Sequence, residues 1–162
     1  TASTYGYSTA ADGAISADDI VELEHSVDPG YRNRPGTRFM MHDSVLKAIK
    51  KLSLANTNLY PVWLPSLRDG APPTILNHPY TINQHMVDFV GAASSADDNK
   101  KIMLFGDFKK YIIRKVAAMR MVRLNERFGD TDEVGFVLFW RWDGDLLDAG
   151  THPIKHLRVS TT

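Results

Sequence analysis

Lys101-Ile102-Met103-Leu104-Phe105-Gly106-Asp107-Phe108-Lys109-Lys110-Tyr111-Ile112-Ile113-Arg114 is the stretch on which the reading of the fold turns. Leu104, Phe105, Phe108, Tyr111, Ile112 and Ile113 are β-forming, apolar side chains of the kind a half-buried sheet requires. The stretch reads as a strand, a tight Gly-Asp break and a second strand. Gly106 interrupts it where the backbone must turn or bulge, and Asp107 can tie that turn with a side-chain hydrogen bond. None of these residues is a recognisable catalyst, so the centre of the chain is architectural.

Downstream, Val116 to Leu124 reads as extended, although Lys115 to Met121 would also tolerate a helix. Glu133 to Trp142 is the second strong strand. Val134, Phe136, Leu138, Trp140 and Trp142 alternate onto one face, and Val137 and Phe139 imply burial on the other. Asp143-Gly144-Asp145 then reads as a turn, and a last strand covers about Ile154 to Val159.

Upstream, Ser16 with Asp19 forms a capping-box pattern, and Asp18 and Asp19 suit the positive end of a helix. Ile20, Val21, Leu23 and Val27 share one face of that helix, Glu22, Glu24 and His25 lie on the wet side, and Pro29-Gly30 stops it. Thr37 to Met41 reads as a short strand, followed by a cap at His42-Asp43-Ser44. A second helix to about Leu52 turns Val45, Leu46, Ile49 and Leu52 inward. Ser53 to Pro73 is irregular, with a turn at Arg68-Asp69-Gly70. Thr74 to Ile82 reads as a strand pair around a break, with Pro79 at a strand start or an edge. Gly91 to Asn99 reads as an exposed loop, and residues 1–15 as an irregular lead-in. Early helices and late strands together make the fold class α+β.

Composition narrows the function. An apolar content of 43% and a charged content of 23% permit a packed core. A net charge of zero argues against electrostatically driven binding to nucleic acid or an anionic membrane. The absence of cysteine excludes disulfides and thiolate metal sites. No apolar run approaches the roughly 20 residues needed to cross a bilayer. The start at Thr1 suggests a fragment with sequence preceding it.

Candidate chemistry is sparse. His152 and His156 are four apart, but Pro153 and the strand-like Leu157 and Val159 place them about 13 Å from each other, too far for one ion. His42, Asp43, His78 and His85 could in principle supply two histidines and a carboxylate, though no spacing supports it. Asp143, Asp145 and Asp148 lack the remaining ligands of a calcium loop. No phosphate loop or nucleophile elbow occurs. Charge is more informative. Lys109, Lys110, Arg114, Lys115, Arg120, Arg123 and Arg127 form a basic run, and Asp130, Asp132, Glu133, Asp143, Asp145 and Asp148 an acidic one. Either neighbouring strands pair these charges within one subunit, or some of them face the next copy of the chain. Lys109, Lys110, Arg114, Arg120, Arg123, Asp130, Asp132 and Glu133 are the candidates for the second role.

Ile20-Val21, Phe39-Met40-Met41, Leu76 to Ile82, Leu104-Phe105-Gly106-Asp107-Phe108 with Tyr111, and Arg141-Trp142-Asp143-Gly144 together resemble, in this order, the C-terminal half of tailed-phage major capsid proteins, the shell fold first described for a Hong Kong coliphage. Phe105, Gly106, Asp107, Phe108, Tyr111, Arg141, Asp143 and Gly144 carry most of the likeness, which runs from about Gly13 to Val159. The resemblance implies a mostly axial domain over 16–102, and late strands over 103–162 shared between axial and peripheral domains. It also implies a hinge near Gly91 to Asn99 and Gly106, and an exposed apolar strip near Trp140 or Trp142 where the family's spine helix lies. Asn77 stands where many relatives have glycine, and no residue of the family's covalent crosslink is carried over. The implied function is a structural, non-enzymatic subunit of an icosahedral phage or prophage capsid, forming pentamers and hexamers around the genome. The implied partners are copies of itself, a scaffolding segment, a maturation protease and a portal, with packaged DNA touched only indirectly, no membrane and no cofactor. The implied location is the virion, with assembly in the host cytoplasm. Alternatives are an encapsulin-type bacterial shell protein, or a small metal- or ligand-binding enzyme domain using His42, His78 or His85.

Overall fold

The computed structural model describes residues 4–9, 14–55, 63–64, 73–89, 99–116, 118–124, 126–127, 130–148 and 150–160. The turn expected at Arg68-Asp69-Gly70 lies outside them, as does nearly all of the loop expected from Gly91 to Asn99. Helix α1 (Ala17–Ser26) starts as its sequence requires. The Ser16 hydroxyl accepts from the Asp19 N–H at 3.2 Å, and the Asp19 carboxylate accepts from the Ser16 N–H at 2.7 Å. Ile20, Leu23 and Val27 are buried, the three-and-four spacing of an apolar helical stripe. Val21, expected beside them, is 39% exposed because it falls off that stripe. Pro29 does not merely stop α1. It opens a separate short helix α2 (Pro29–Arg32), capped by the Asp28 carboxylate on the Gly30 N–H, where a missing proline N–H costs nothing. The third helix, α3 (Asp43–Ala55), follows strand β2 (Thr37–Met41), and buries Val45, Leu46 and Ile49.

A seven-stranded sheet runs in the order β1-β11-β6-β2-β5-β4-β3. Its members are β1 (Thr4–Ser8), β2, β3 (Trp63–Leu64), β4 (Thr74–Ile75), β5 (His78–Ile82), β6 (Lys101–Asp107) and β11 (Ile154–Arg158). β1 lies parallel to β11 and β2 parallel to β5; the other neighbours are antiparallel. The lead-in is therefore not irregular throughout. Thr4–Ser8 is strand because the free edge of β11 offers it a ladder. The expected strand pair over Thr74–Ile82 is present. Its turn places Leu76 at φ 46 and Asn77 at φ 62, the left-handed pair of a tight hairpin, which asparagine tolerates well. Pro79 precedes Tyr80, where pairing with β2 begins, so its missing N–H costs that ladder nothing.

β6 is an interior strand of the sheet, between β11 and β2, and its break comes later than the Gly-Asp reading placed it. Gly106 and Asp107 remain in strand, paired with Arg38 and Thr37 on one side, and Gly106 faces Ile154 on the other. The turn is a single 3-10 turn over Phe108–Lys110, with the Asp107 carboxylate accepting the Lys109 N–H at 3.1 Å. Gly106 has φ +146, and a Cβ there would run into the Pro153 carbonyl and lie 2.8 Å from the Ile154 Cα. Its role is close approach to β11. A division after Ile102 would cut β6, whose residues share one ladder.

After the 3-10 turn the chain leaves the sheet as a two-stranded antiparallel ribbon. β7 (Tyr111–Lys115) pairs with β10 (Trp142–Leu146), and β8 (Arg120–Leu124) with β9 (Gly135–Phe139). The Val116 N–H donates to the Arg141 carbonyl at 3.1 Å, so the two pairs are consecutive. Two readings change here. The strand expected over Glu133–Trp142 is interrupted at Trp140-Arg141, between β9 and β10. Asp143-Gly144-Asp145 is not a turn but mid-strand, because Tyr111–Lys115 supplies its ladder and Gly144 makes room for the Tyr111 ring, whose hydroxyl would lie 2.5 Å from a Cβ.

Candidate functional site

The ribbon is where the molecule departs most from a closed globule. Met121, Phe136 and Trp142 are 67%, 63% and 65% exposed. Ile112, Ile113, Met119, Leu138, Phe139 and Trp140 are exposed as well. In a strand, Phe136 and Leu138 point to one face and Phe139 to the other. Both faces are therefore open. The alternation of these residues implied burial, but a two-stranded ribbon has no second layer of its own to provide it. A contiguous apolar surface of this kind is the usual mark of an association surface. Trp140 and Trp142 lie with ring centroids 6.4 Å apart, and the Lys115 ammonium sits 5.6 Å from the Trp140 ring centroid.

Charge borders this surface by strand. Arg114, Lys115, Arg120 and Arg123 are carried on β7 and β8; Glu133, Asp143 and Asp145 lie next to or on β9 and β10, and Asp130 and Asp132 in the tip loop. The registers place Arg114 opposite Asp143, but Arg120 opposite Phe139 and Arg123 opposite Phe136. Among the described residues, no ion pair joins the candidate basic set (Lys109, Lys110, Arg114, Arg120, Arg123) to Asp130, Asp132, Glu133, Asp143 or Asp145. Folding the hairpin thus brings the two charge runs side by side without pairing them off.

The motif residues divide between the body and the ribbon. Phe105 is fully buried, its ring 4.3 Å from that of Phe39. Gly106 and Asp107 shape the end of β6, and Phe108 opens the 3-10 turn. Tyr111, Asp143 and Gly144 lie in the β7–β10 ladder, with Arg141 just before β10.

The three histidines do not converge. The Ser44 N–H donates to His42 Nδ1 at 3.2 Å, so His42 caps α3, and the same nitrogen is 3.4 Å from the Asp88 carboxylate. The Asp88 carboxyl is held below its usual range, first by the Ser44 hydrogen bond, with His42 contributing. His78 Nε2 lies 3.3 Å from Glu24, and its ring packs edge-on against Phe39 and Phe105. Glu24, expected in solvent, is accordingly half-buried. The His85 N–H donates to the Asn83 side chain. Among the described residues no group of three His, Cys, Asp or Glu could hold a metal ion, and no helix is long and apolar enough to cross a membrane.

One cluster carried no sequence signal. The Tyr31 hydroxyl of α2 donates to the Asp148 carboxylate, which also accepts from the Thr151 hydroxyl at 3.2 Å. The Arg34 guanidinium and the Lys110 ammonium lie 4.6 and 5.9 Å from the Tyr31 ring centroid. The separation of 117 positions between Tyr31 and Asp148 hides this contact from any local pattern.

Comparison with known proteins agrees with the architecture. No curated protein sequence matches the chain. Similar solved structures include two capsids. The capsid of an empty GTA particle is 26% identical with a TM-score of 0.64. The capsid of a native GTA particle is 24% identical with a TM-score of 0.68, a likeness of fold. Each match covers 97% of this chain and 50% of the other, so the chain spans about half the length of these capsid chains. The sequence also matches the phage capsid family over residues 1–158. With its α+β sheet and protruding ribbon, the chain belongs to the phage capsid family.

Proposed function

We propose that the chain acts as a subunit of an icosahedral phage or prophage shell, closing into pentamers and hexamers around a genome, with the ribbon as a principal contact surface between copies. The observation that carries this reading is the ribbon itself, apolar on both faces and bordered by unpaired charge. Such a surface is costly to leave in water and is stabilised when a neighbour covers it. The seven-stranded sheet with its helices corresponds to the axial domain and the ribbon to the peripheral domain. Lys109, Lys110, Arg114, Arg120 and Arg123 of one copy meet Asp130, Asp132 and Glu133 of the next, where complementary potentials set register more than they add affinity. Repetition by symmetry then makes weak single contacts sufficient. A scaffolding segment, a maturation protease and a portal are the partners in the parent system. DNA meets only the finished shell, and the location is the virion after assembly in the host cytoplasm.

The test is self-association measured by sedimentation equilibrium over a salt series. Reversing Arg120 and Arg123 to Glu weakens association by about tenfold, at ~0.2–1 kcal/mol per exposed pair. Mixing that variant with one carrying Asp132→Lys and Glu133→Lys restores it. Association indifferent to both reversals would remove the ribbon from the interface.

A further inference from the structure

The ribbon joins the sheet through two crossings, with residues 107–111 going out and residues 146–148 and 150–154 coming back. These crossings are bonded to each other. The Leu147 N–H donates to the Lys110 carbonyl at 2.8 Å, and the Asp107 N–H to the Pro153 carbonyl at 3.0 Å. Such bonds keep the two strands side by side. They do not fix the angle at which the pair leaves the sheet, because both strands can swing together about the line through the crossings.

A third point of attachment fixes that angle, and Tyr31 supplies it. Its backbone is fastened to the body: the Tyr31 carbonyl accepts from the Thr37 hydroxyl at 2.6 Å, and Thr37 is a buried residue at the start of β2. Its hydroxyl is fastened to the returning crossing at Asp148. Its ring lies against Arg34 from the body and Lys110 from the outgoing crossing. Asp148 is held in turn. It sits at φ +60, and its carbonyl accepts the Thr151 and His152 N–H groups at 3.2 Å each.

We infer that Tyr31 and Asp148 are a positioning pair, a latch that sets the angle between the ribbon and the sheet. The consequence for assembly rests on the reading of the ribbon as a contact surface. Copies meet in register only if each ribbon leaves its sheet at the same angle, so loosening the latch blurs the lattice without removing a contact residue. The groups facing the hydroxyl–carboxylate bond are Lys110, Arg34 and Asp28.

Tyr31→Phe keeps the ring and its cations while deleting the hydroxyl. Asp148→Asn keeps the shape and an acceptor oxygen but removes the charge that strengthens the bond, and asparagine accepts the left-handed backbone. Hydrogen exchange on the chain reads the result. The Lys109 and Leu147 amides exchange about fivefold faster in Tyr31→Phe and less so in Asp148→Asn, while amides of Phe39 and Phe105 do not change. The double variant is no faster than Tyr31→Phe alone, since Asp148→Asn acts through the bond that Tyr31→Phe has already deleted. Residual dipolar couplings add an orientation readout. One alignment tensor fits sheet and ribbon in the wild-type chain, and ribbon couplings shrink in the variants. A single tensor that still fits the variants, or exchange that rises equally across β2 and β6, would overturn the latch. The charge reversals that test the assembly reading touch neither Tyr31 nor Asp148, so each idea can fail alone.

Discussion

Arg114 stands directly opposite Asp143 in the β7–β10 ladder, yet the two form no ion pair. Opposite charges at facing positions in a ladder ordinarily attract by a fraction of a kcal/mol. Both side chains are exposed, and water offers each of them a comparable partner. The pair is accordingly dispensable for folding. Arg114→Glu shifts unfolding free energy by no more than about 0.5 kcal/mol in urea denaturation, and lowers self-association in the same preparation. A stability loss several times larger, with association intact, would assign Arg114 to the fold instead of the interface.

Gly106 makes the opposite kind of prediction. At φ +146 a side chain is strained in any surroundings, and a Cβ would also meet the Pro153 carbonyl. Backbone cannot yield as a flexible side chain can. Gly106→Ala destabilises by about 3 kcal/mol or more and separates β11 from β6, which chemical denaturation and loss of exchange protection at Leu157 would register. Gly150→Ala serves as the control, since a Cβ there meets nothing within 4 Å.

What was legible in the sequence was local. Ser16 and Asp19 lie within one helical turn of each other, and the Leu76-Asn77 hairpin closes over two residues, so neighbours in sequence contain the whole cause. Asp107 was read as the tie of the turn after β6 and does tie it. What was not legible depended on a distant partner. Thr4–Ser8 becomes strand only because β11 lies beside it. Asp143-Gly144-Asp145 has the composition of a turn, but a ladder with Tyr111–Lys115 overrides it. The alternation over Val134–Trp142 signalled strand correctly and burial incorrectly, because periodicity states which side chains share a face and not whether a second layer covers it. Tyr31 and Asp148 meet only through the tertiary fold.

The core makes a third prediction. Phe39 and Phe105 are fully buried with rings 4.3 Å apart, and they face each other across the β2–β6 ladder. Truncating Phe105 to Ala removes the stack and the edge contact with His78, leaving a cavity at the middle of the sheet, a loss of about 3–5 kcal/mol. Phe105→Leu retains most of the volume and costs roughly half as much. Denaturant midpoints that fell equally for the two substitutions would mean that ring geometry matters more than filled volume.

The acid response of the latch is the sharpest test of its chemistry. The Asp148 carboxyl is held below the ordinary carboxylate range, first by the hydrogen bond from the Tyr31 hydroxyl and then by Thr151 and Lys110. The same bond raises the Tyr31 phenol above its usual value. A carboxylate whose folded value is depressed contributes stability above its unfolded value and loses it as pH falls through the folded one. The latch is therefore closed at neutral and mildly acid pH, and it opens only below the range in which ordinary carboxylates protonate. Carbon-detected NMR titration of the Asp148 carboxyl should give a midpoint below the ordinary aspartate range. Tyr31→Phe should move the midpoint upward, because the largest cause of the depression is gone. An unmoved midpoint in Tyr31→Phe would mean that Lys110 and Thr151 hold the carboxylate by themselves, and that the hydroxyl does not anchor the ribbon.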